Sequence, residues 1–248
     1  MKLIVLGSGT STPYKRRGSS GYALILPSSL LLLDCGNGVT WKLEAVGLDF
    51  LEIDHVFLTH MHPDHTSDLI TLLFATKYSY RKPRAKPLNI WGPVGLYGLF
   101  EGFTRSYGKW VMPEGVHKKE IEAGVMGFDG FEVRILGMLH GEASLGYRIE
   151  SEGKSIAYTG DTDYCEAAVE LASGVDLLII ECSVPDVYKI EGHLTPKDVS
   201  RIVDKARPKR VVLTHIYPEA DEVDIVGEIR EGVDADIIKA EDMMELVI

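Results

Sequence analysis

The feature that most constrains this chain is its rhythm: short, nearly all-apolar runs alternate with amphipathic stretches from one end to the other. Residues 3–6, 22–26 and 30–33 read as strands separated by turn residues, and 40–46 as a helix ended by Gly47. A strand at 55–58, a helix at 67–76, a strand at 88–91 and a helix at 94–104 follow. In the second half, 131–136, 144–149 and 155–158 read as strands, 164–171 as a helix and 177–180 as a buried strand. Thr195-Pro196-Lys197-Asp198 opens a helix: Thr195 caps it, Pro196 fits its first turn, and Asp198 suits its positive end. The expected core face of that helix is Val199, Ile202, Val203 and Ala206. A strand at 210–213, a helix at 223–229 and a strand or two in the tail complete an α/β pattern. No linker or low-complexity segment interrupts it, so one domain spanning 1–248 is expected.

Val56-Phe57-Leu58-Thr59-His60 is echoed by Val211-Val212-Leu213-Thr214-His215, an apolar strand delivering a histidine at its carboxyl end. Two such strands, one in each half, predict a pseudo-symmetric fold with chemistry at strand ends. Composition excludes other classes. Hydrophobic residues at 45% and charged residues at 25% are an ordinary globular balance rather than a disordered one. No run approaches the roughly 18 apolar residues of a membrane span, so no membrane association is expected. The apolar start breaks at Gly7-Ser8-Gly9 without a secretory cleavage pattern and reads as a first strand. Cys35, Cys165 and Cys182 are odd in number and far apart, which predicts buried thiols in a reducing cytoplasm rather than disulfides. A net charge of −11 opposes unspecific nucleic-acid binding. Two local basic groups stand against it, Lys15-Arg16-Arg17 and Lys77, Arg81, Lys82, Arg84 and Lys86, either of which could recruit phosphate.

His60-Met61-His62-Pro63-Asp64-His65 places four ligand-type residues within six positions directly after a strand. Side chains alternate with period two in extended chain, so His60 and His62 face one side. Asp64 and His65, further on, can face a second position. Further ligand types stand just beyond apolar runs: His140 after the strand at 131–136, Asp161 after 155–158, and His215 after 210–213. Imidazole and carboxylate suit Zn²⁺, and also Mn²⁺ or Fe²⁺. His55 and His117 match no motif and read as structural or surface residues.

His-x-His-x-Asp-His followed by distant His, Asp and His resembles the metallo-β-lactamase superfamily along the whole chain. The resemblance implies a four-layer αββα sandwich with two divalent metal ions, zinc foremost, at the edge between its sheets. It implies one metal on His60, His62 and His140, a second on Asp64, His65 and His215, and Asp161 between them. Asp34 would orient ligands from behind. Within the superfamily the chain is most similar to the ribonuclease Z and phosphodiesterase branch. An aspartate, Asp161, completes the ligand set where β-lactamases proper commonly have cysteine. The opening Leu6-Gly7-Ser8-Gly9-Thr10-Ser11-Thr12-Pro13 and its basic sequel resemble that branch's start. Ile180-Glu181-Cys182-Ser183 resembles its His-Glu-Ala-Thr stretch, with isoleucine in place of the histidine. Gly192-His193-Leu194-Thr195 resembles its His-Ser-Thr stretch.

The implied function is a dinuclear phosphodiesterase that uses a metal-bridging hydroxide. Asp64 would hold the water's proton, and His193, kept protonated by Glu181, would serve the leaving oxygen. Pro63 stands where ribonuclease Z usually has glycine and Asp68 where glycine is common, and no long Gly/Pro-rich insertion can form a transfer-RNA-gripping arm. The expected substrate is therefore a small phosphodiester or an RNA 3′ end. Arylsulfatase-like or lactone and ester hydrolysis on the same cage, and a non-catalytic metal-binding protein, are the competing readings. A redox role would need a partner domain for which 248 residues leave no room. Branch members are often dimeric, so the resemblance also implies a homodimer.

Overall fold

Apolar runs are continuous in this chain because its strands are buried on both faces. A computed structural model describes residues 1–79 and 83–248. Strand β1 (Lys2–Gly7) turns Leu3 and Val5 to one side and Ile4 and Leu6 to the other, and all four are buried. The pattern recurs in β2 (Gly21–Ile25) and β3 (Leu30–Leu33), where Leu31 and Leu33 face one core and Leu32 another. Each such leucine contributes roughly 1.5–3 kcal/mol by leaving water.

The remaining strands are β4 (His55–Phe57), β5 (Leu88–Gly92), β6 (Val116–Glu120), β7 (Gly124–Phe128), β8 (Phe131–Gly137), β9 (Leu145–Ser151) and β10 (Lys154–Tyr158), then β11 (Leu177–Glu181), β12 (Arg210–Thr214), β13 (Asp236–Lys239) and β14 (Glu245–Val247). Among the described residues they form two seven-stranded sheets, ordered β14-β1-β2-β3-β4-β5-β6 and β13-β12-β11-β10-β9-β8-β7. In each sheet antiparallel pairing gives way to parallel pairing at one point, β3 to β4 in the first and β10 to β11 in the second. The pseudo-symmetry expected from the sequence is therefore present at the level of the sheets. The sequence echo itself runs one strand out of step, because it links β4 to β12 whereas the sheet plan matches β4 to β11.

Between the sheets lies a core that includes Val5, Tyr22, Leu33, Phe57, Val133, Tyr147, Tyr158 and Ile179. Helices Val39–Ala45, Leu69–Tyr78 and Leu96–Tyr107 cover the outer face of the first sheet through Val39, Leu43, Leu72, Leu96 and Phe100. Helices Glu166–Ala172, Pro196–Ala206 and Ile225–Arg230 cover the second through Leu171, Val199, Ile202, Val203 and Ile229. The layers are thus helix, sheet, sheet, helix. Helix Pro196–Ala206 starts as its sequence demands, with Thr195 and Asp198 forming a reciprocal capping box.

Strands β6 and β7 were not expected. Val116-His117-Lys118-Lys119-Glu120 is mostly charged, and Gly124-Val125-Met126-Gly127-Phe128 carries two glycines, so neither has a strand's usual composition. Both are outer strands whose backbone pairs on one side only, and charged residues are common at such edges. His55 is structural, as anticipated: its Nδ1 accepts from the Trp91 indole N–H at 3.0 Å, within a cluster that includes Phe128 and Phe131.

Candidate metal centre

Strand ends build the centre. Thr59 and His60 follow β4, and the chain then enters a single helical turn, Pro63–Thr66, which brings Asp64 and His65 round to the same cavity. Gly36 makes room for that turn. A Cβ there would lie 2.0 Å from the Asp64 carbonyl oxygen and 2.7 Å from Ser19 Cβ. His140 stands in the β8–β9 connection, Asp161 follows β10, and His215 follows β12 with a positive φ of 52°. The first sheet therefore supplies His60, His62, Asp64 and His65, and the second supplies His140, Asp161 and His215.

These seven side chains converge in two adjoining groups, and a third, Asp161 with His193 and His215, shares a residue with each. His60, His62, His140 and Asp161 offer ligand atoms all within 4.8 Å of one another, and so do Asp64, His65 and His215. Asp161 sits between the groups: Oδ2 lies 3.7 Å from His60 Nε2, 3.9 Å from His140 Nε2 and 3.3 Å from His215 Nε2, and Oδ1 lies 3.4 Å from His65 Nε2. The structure thus brings together all seven residues singled out from the sequence.

Hydrogen bonds behind the rings select which nitrogen each presents. Asp34 Oδ2 accepts from His65 Nδ1 at 2.7 Å, from the Thr59 hydroxyl at 2.9 Å and from the Tyr158 hydroxyl at 2.7 Å. Having donated to Asp34, the Thr59 hydroxyl accepts from His60 Nδ1 at 3.0 Å. His140 Nδ1 donates to the Gly192 carbonyl at 2.8 Å. The Ser183 hydroxyl donates to Glu181 at 2.5 Å and accepts from His215 Nδ1 at 3.0 Å. Four imidazoles thus turn Nε2 inward, and His62 presents Nδ1, 3.0 Å from His60 Nε2 and 3.2 Å from His140 Nε2.

That convergence fits a cation. Ring nitrogens whose opposite N–H groups are already committed point lone pairs at one another. Ligands of a tetrahedral ion at about 2.0–2.1 Å lie about 3.4 Å apart, close to these separations. His65 Nε2 and Asp161 Oδ1 are fully buried and have no hydrogen-bond partner. Burial and the neighbouring imidazoles hold His60 down to about 2, and burial with the His140 charge lowers His62. Burial opposes ionisation of Asp64 and Asp161, but the adjoining imidazoles His215 and His65 hold both carboxyls below the usual range. His65 is the exception. Against its burial, Asp161 and Asp34 raise it well above the ordinary histidine value, so a cation there would replace a proton. The cluster is suited to a divalent metal.

Beyond the seven, His193 Nδ1 meets Glu181 Oε2 at 3.2 Å and Oε1 at 3.3 Å. Burial lowers the affinity of His193 for a proton, but the hydrogen bond and charge of Glu181 outweigh it and raise the pKa. Glu181 is fixed by the Thr162 N–H at 2.6 Å and the Leu194 N–H at 3.1 Å. Ser183, Thr59 and Tyr158 were not singled out from sequence. Each stands at or just past a strand end, the position that had marked the ligands.

The basic groups read as phosphate recruiters are largely committed elsewhere. Arg17 is buried and binds Asp221 at 2.7 Å, Ser8 Oγ at 2.8 Å and the Ala240 carbonyl, and Arg16 reaches Asp221 at 3.4 Å. Arg84 donates to the carbonyls of Leu51 and Ile53, Lys86 pairs with Asp54 at 2.6 Å, and Lys77 donates to the carbonyls of Lys109 and Met112. Arg81 and Lys82 lie outside the described residues. Beside Asp64 opens a hollow of about 440 Å³ whose lining includes Thr10, Ser11, Thr12, Tyr14, Asn37 and Ser67.

Known proteins place the chain. The family described as "Beta-lactamase superfamily domain" matches residues 30–216. Ribonuclease Z of Methanosarcina acetivorans is 27% identical over 303 aligned positions, covering 100% of this chain and 98% of that protein. Among solved structures, human tRNase Z, short form, superposes with a TM-score of 0.80 at 26% identity, covering 100% of this chain and 99% of that one. The metallo-beta-lactamase fold protein YhfI of Bacillus subtilis superposes with a TM-score of 0.85 at 23% identity, covering 99% of this chain and 98% of that one. With the sandwich, the ligand cluster and these likenesses together, the chain belongs to the beta-lactamase superfamily, as a metal-dependent hydrolase of its ribonuclease Z-like branch.

Proposed function

We propose that the protein is a phosphodiesterase working with two divalent ions, Zn²⁺ foremost, and that all 248 residues form one catalytic unit. His60, His62 and His140 would hold one ion, Asp64, His65 and His215 the other, and Asp161 both. The observation that carries this is the inward convergence of seven ligand atoms beside a histidine–glutamate pair, whose histidine also stands within 4.8 Å of Asp161 and His215. When bound, two such ions neutralise an anionic phosphodiester and bring the pKa of a shared water towards roughly 7.

The chain's own groups supply the remainder. Asp64, held ionised, lies 3.3 Å from His215 Nε2 and borders the hollow, where it can accept a proton from an attacking water. His193, held protonated by Glu181, packs against the His140 and His215 rings and can donate to the leaving oxygen. Hydroxyls and amides of the hollow can bind neutral polar parts of a substrate. The ribonuclease Z likeness supports an RNA 3′ end as well as a smaller diester. The 303-position alignment exceeds the 248 residues here, so that relative carries segments this chain lacks, which favours the smaller substrate. Free thiols at Cys35, Cys165 and Cys182 support a reducing, cytoplasmic setting. Among the described residues no helix is long and apolar enough to cross a membrane.

The test is metal analysis coupled to turnover of aryl phosphodiesters, aryl sulfates and lactones. Two ions per chain and preferential cleavage of the diesters are expected. Preference for sulfates or lactones would move the assignment to those substrates, and two bound ions without turnover would make this a metal-binding protein only.

A further inference from the structure

A clamp outside the ligand cluster holds the turn that carries His193. We propose that Lys189 is a positioning residue for His193, acting through salt bridges to Asp163 and Asp198. This rests on the reading of His193 as the general acid.

Lys189 Nζ donates to Asp163 Oδ1 at 2.7 Å, to Asp198 Oδ2 at 2.7 Å and to the carbonyl of His193 itself at 2.5 Å. An ammonium has three protons, and here each has an acceptor. Those acceptors belong to three places: the segment after β10 that also carries Asp161, the first turn of helix Pro196–Ala206, and the backbone of the acid. Asp163 grips the turn a second time, accepting from the Gly192 N–H at 3.1 Å, while its own N–H donates to the Leu139 carbonyl at 2.8 Å beside His140. Gly192 in turn offers its carbonyl to His140 Nδ1 at 2.8 Å. It has a φ of +85°, and a Cβ there would lie 3.0 Å from His140 Nδ1. Residues 189–193 thus fix a ligand ring on one side and the acid on the other.

An isolated surface ion pair contributes little to stability. This one differs because it fixes the main chain of the residue whose ring must stay within hydrogen-bond reach of both Glu181 and a leaving oxygen. Without the ammonium, the carbonyl of His193 loses its anchor, and what holds the turn includes the Gly192 contacts and the His193 N–H to Ile190 carbonyl bond of 3.2 Å. A displacement of about 1 Å is enough to cost an acid its alignment. The Lys189 side chain is about one-third exposed (36%), so replacing it leaves no buried cavity.

The experiment compares wild type, Lys189→Met, Lys189→Arg and His193→Ala on methyl aryl phosphates, from p-nitrophenyl, which departs unaided, to phenyl, which needs a proton. Lys189→Met should lower kcat on the phenyl ester about 10- to 100-fold and on the p-nitrophenyl ester by less than about 3-fold. KM and metal content should hold, and Lys189→Arg should recover most of the loss. An equal change on both esters, or none, while His193→Ala discriminates between them, overturns the role of Lys189 and leaves the acid in place. A wild type inactive on every ester, or His193→Ala losing evenly across the series, removes the reading of the acid and the proposal with it. Should Lys189→Met fail to fold, Lys189→Gln provides the same comparison, because it removes the ammonium and leaves the Asp163 contact to Gly192 in place.

Discussion

The Asp34 carboxylate and His65 Nδ1 lie 2.7 Å apart, both fully buried, and the same carboxylate also holds Thr59 and Tyr158. Asp34 is itself in the left-handed region at φ 56°, a conformation in which aspartate is one of the few tolerated side chains. One carboxylate therefore sets the direction of two ligand rings, His65 directly and His60 through the Thr59 hydroxyl. Asp34→Ala should weaken metal affinity about 10- to 100-fold. Chelator competition measures this, and unchanged affinity would reduce Asp34 to a structural residue.

Metal should also stabilise the fold. Free metal at about 1,000 times its Kd adds about 4 kcal/mol, which for a chain of this size raises Tm by roughly 10 °C. Thermal melts in Zn²⁺ and in EDTA check this. The shift should shrink in a His65→Ala, His215→Ala double variant, which strips the second group of both imidazoles and leaves the first group intact.

Gly36→Ala should damage the centre from behind. Its Cβ would collide with the Asp64 carbonyl, which is backbone and cannot swing aside. A loss of roughly 1–3 kcal/mol is expected, together with weaker metal binding. Gly98, inside helix Leu96–Tyr107, would present a Cβ to open space, and Gly98→Ala should gain roughly 0.5–1 kcal/mol. Urea denaturation of the two variants tests the contrast.

Asp221 should contribute to the acid sensitivity of the fold. Burial opposes its ionisation, but Arg17 and Lys239 hold it down to about 2. A depressed carboxyl contributes stability that is complete above its unfolded pKa of about 3.9. That contribution fades as pH falls from about 4 towards 2. Asp221→Asn should cost roughly 3 kcal/mol at neutral pH by leaving Arg17 unpaired. It should also flatten the decline of the urea midpoint between about pH 4 and pH 2. An unaltered decline would place the acid-sensitive group elsewhere.

Part of the candidate centre was legible because three of its seven residues obey one rule, a histidine or aspartate just after an apolar strand, and the rest cluster beside His60 or stand in the β8–β9 connection. His60, Asp161 and His215 all follow it, and Glu181 closes β11 itself. What escaped depends on neighbours in space rather than in sequence. Ser183 matters because β11 and β12 lie side by side, bringing its hydroxyl to His215. Arg17 looked like a phosphate hook because its neighbours are basic, but Asp221, far along the chain, neutralises it. Strands β6 and β7 escaped because backbone pairing along one edge, with only partial burial of Val116, Met126 and Phe128, holds them in their sheets.

Four of the seven candidate ligands come from one sheet and three from the other, so bound ions would act as rivets through the seam of the sandwich. The amino-terminal half can display His60 to His65 as soon as it leaves the ribosome, but the first cage waits for His140 and Asp161, and the second cannot close until His215 has been synthesised. Loading with metal would then be the last act of maturation, and starvation for the ion would leave a chain whose two halves are joined chiefly by the packing of their inner faces.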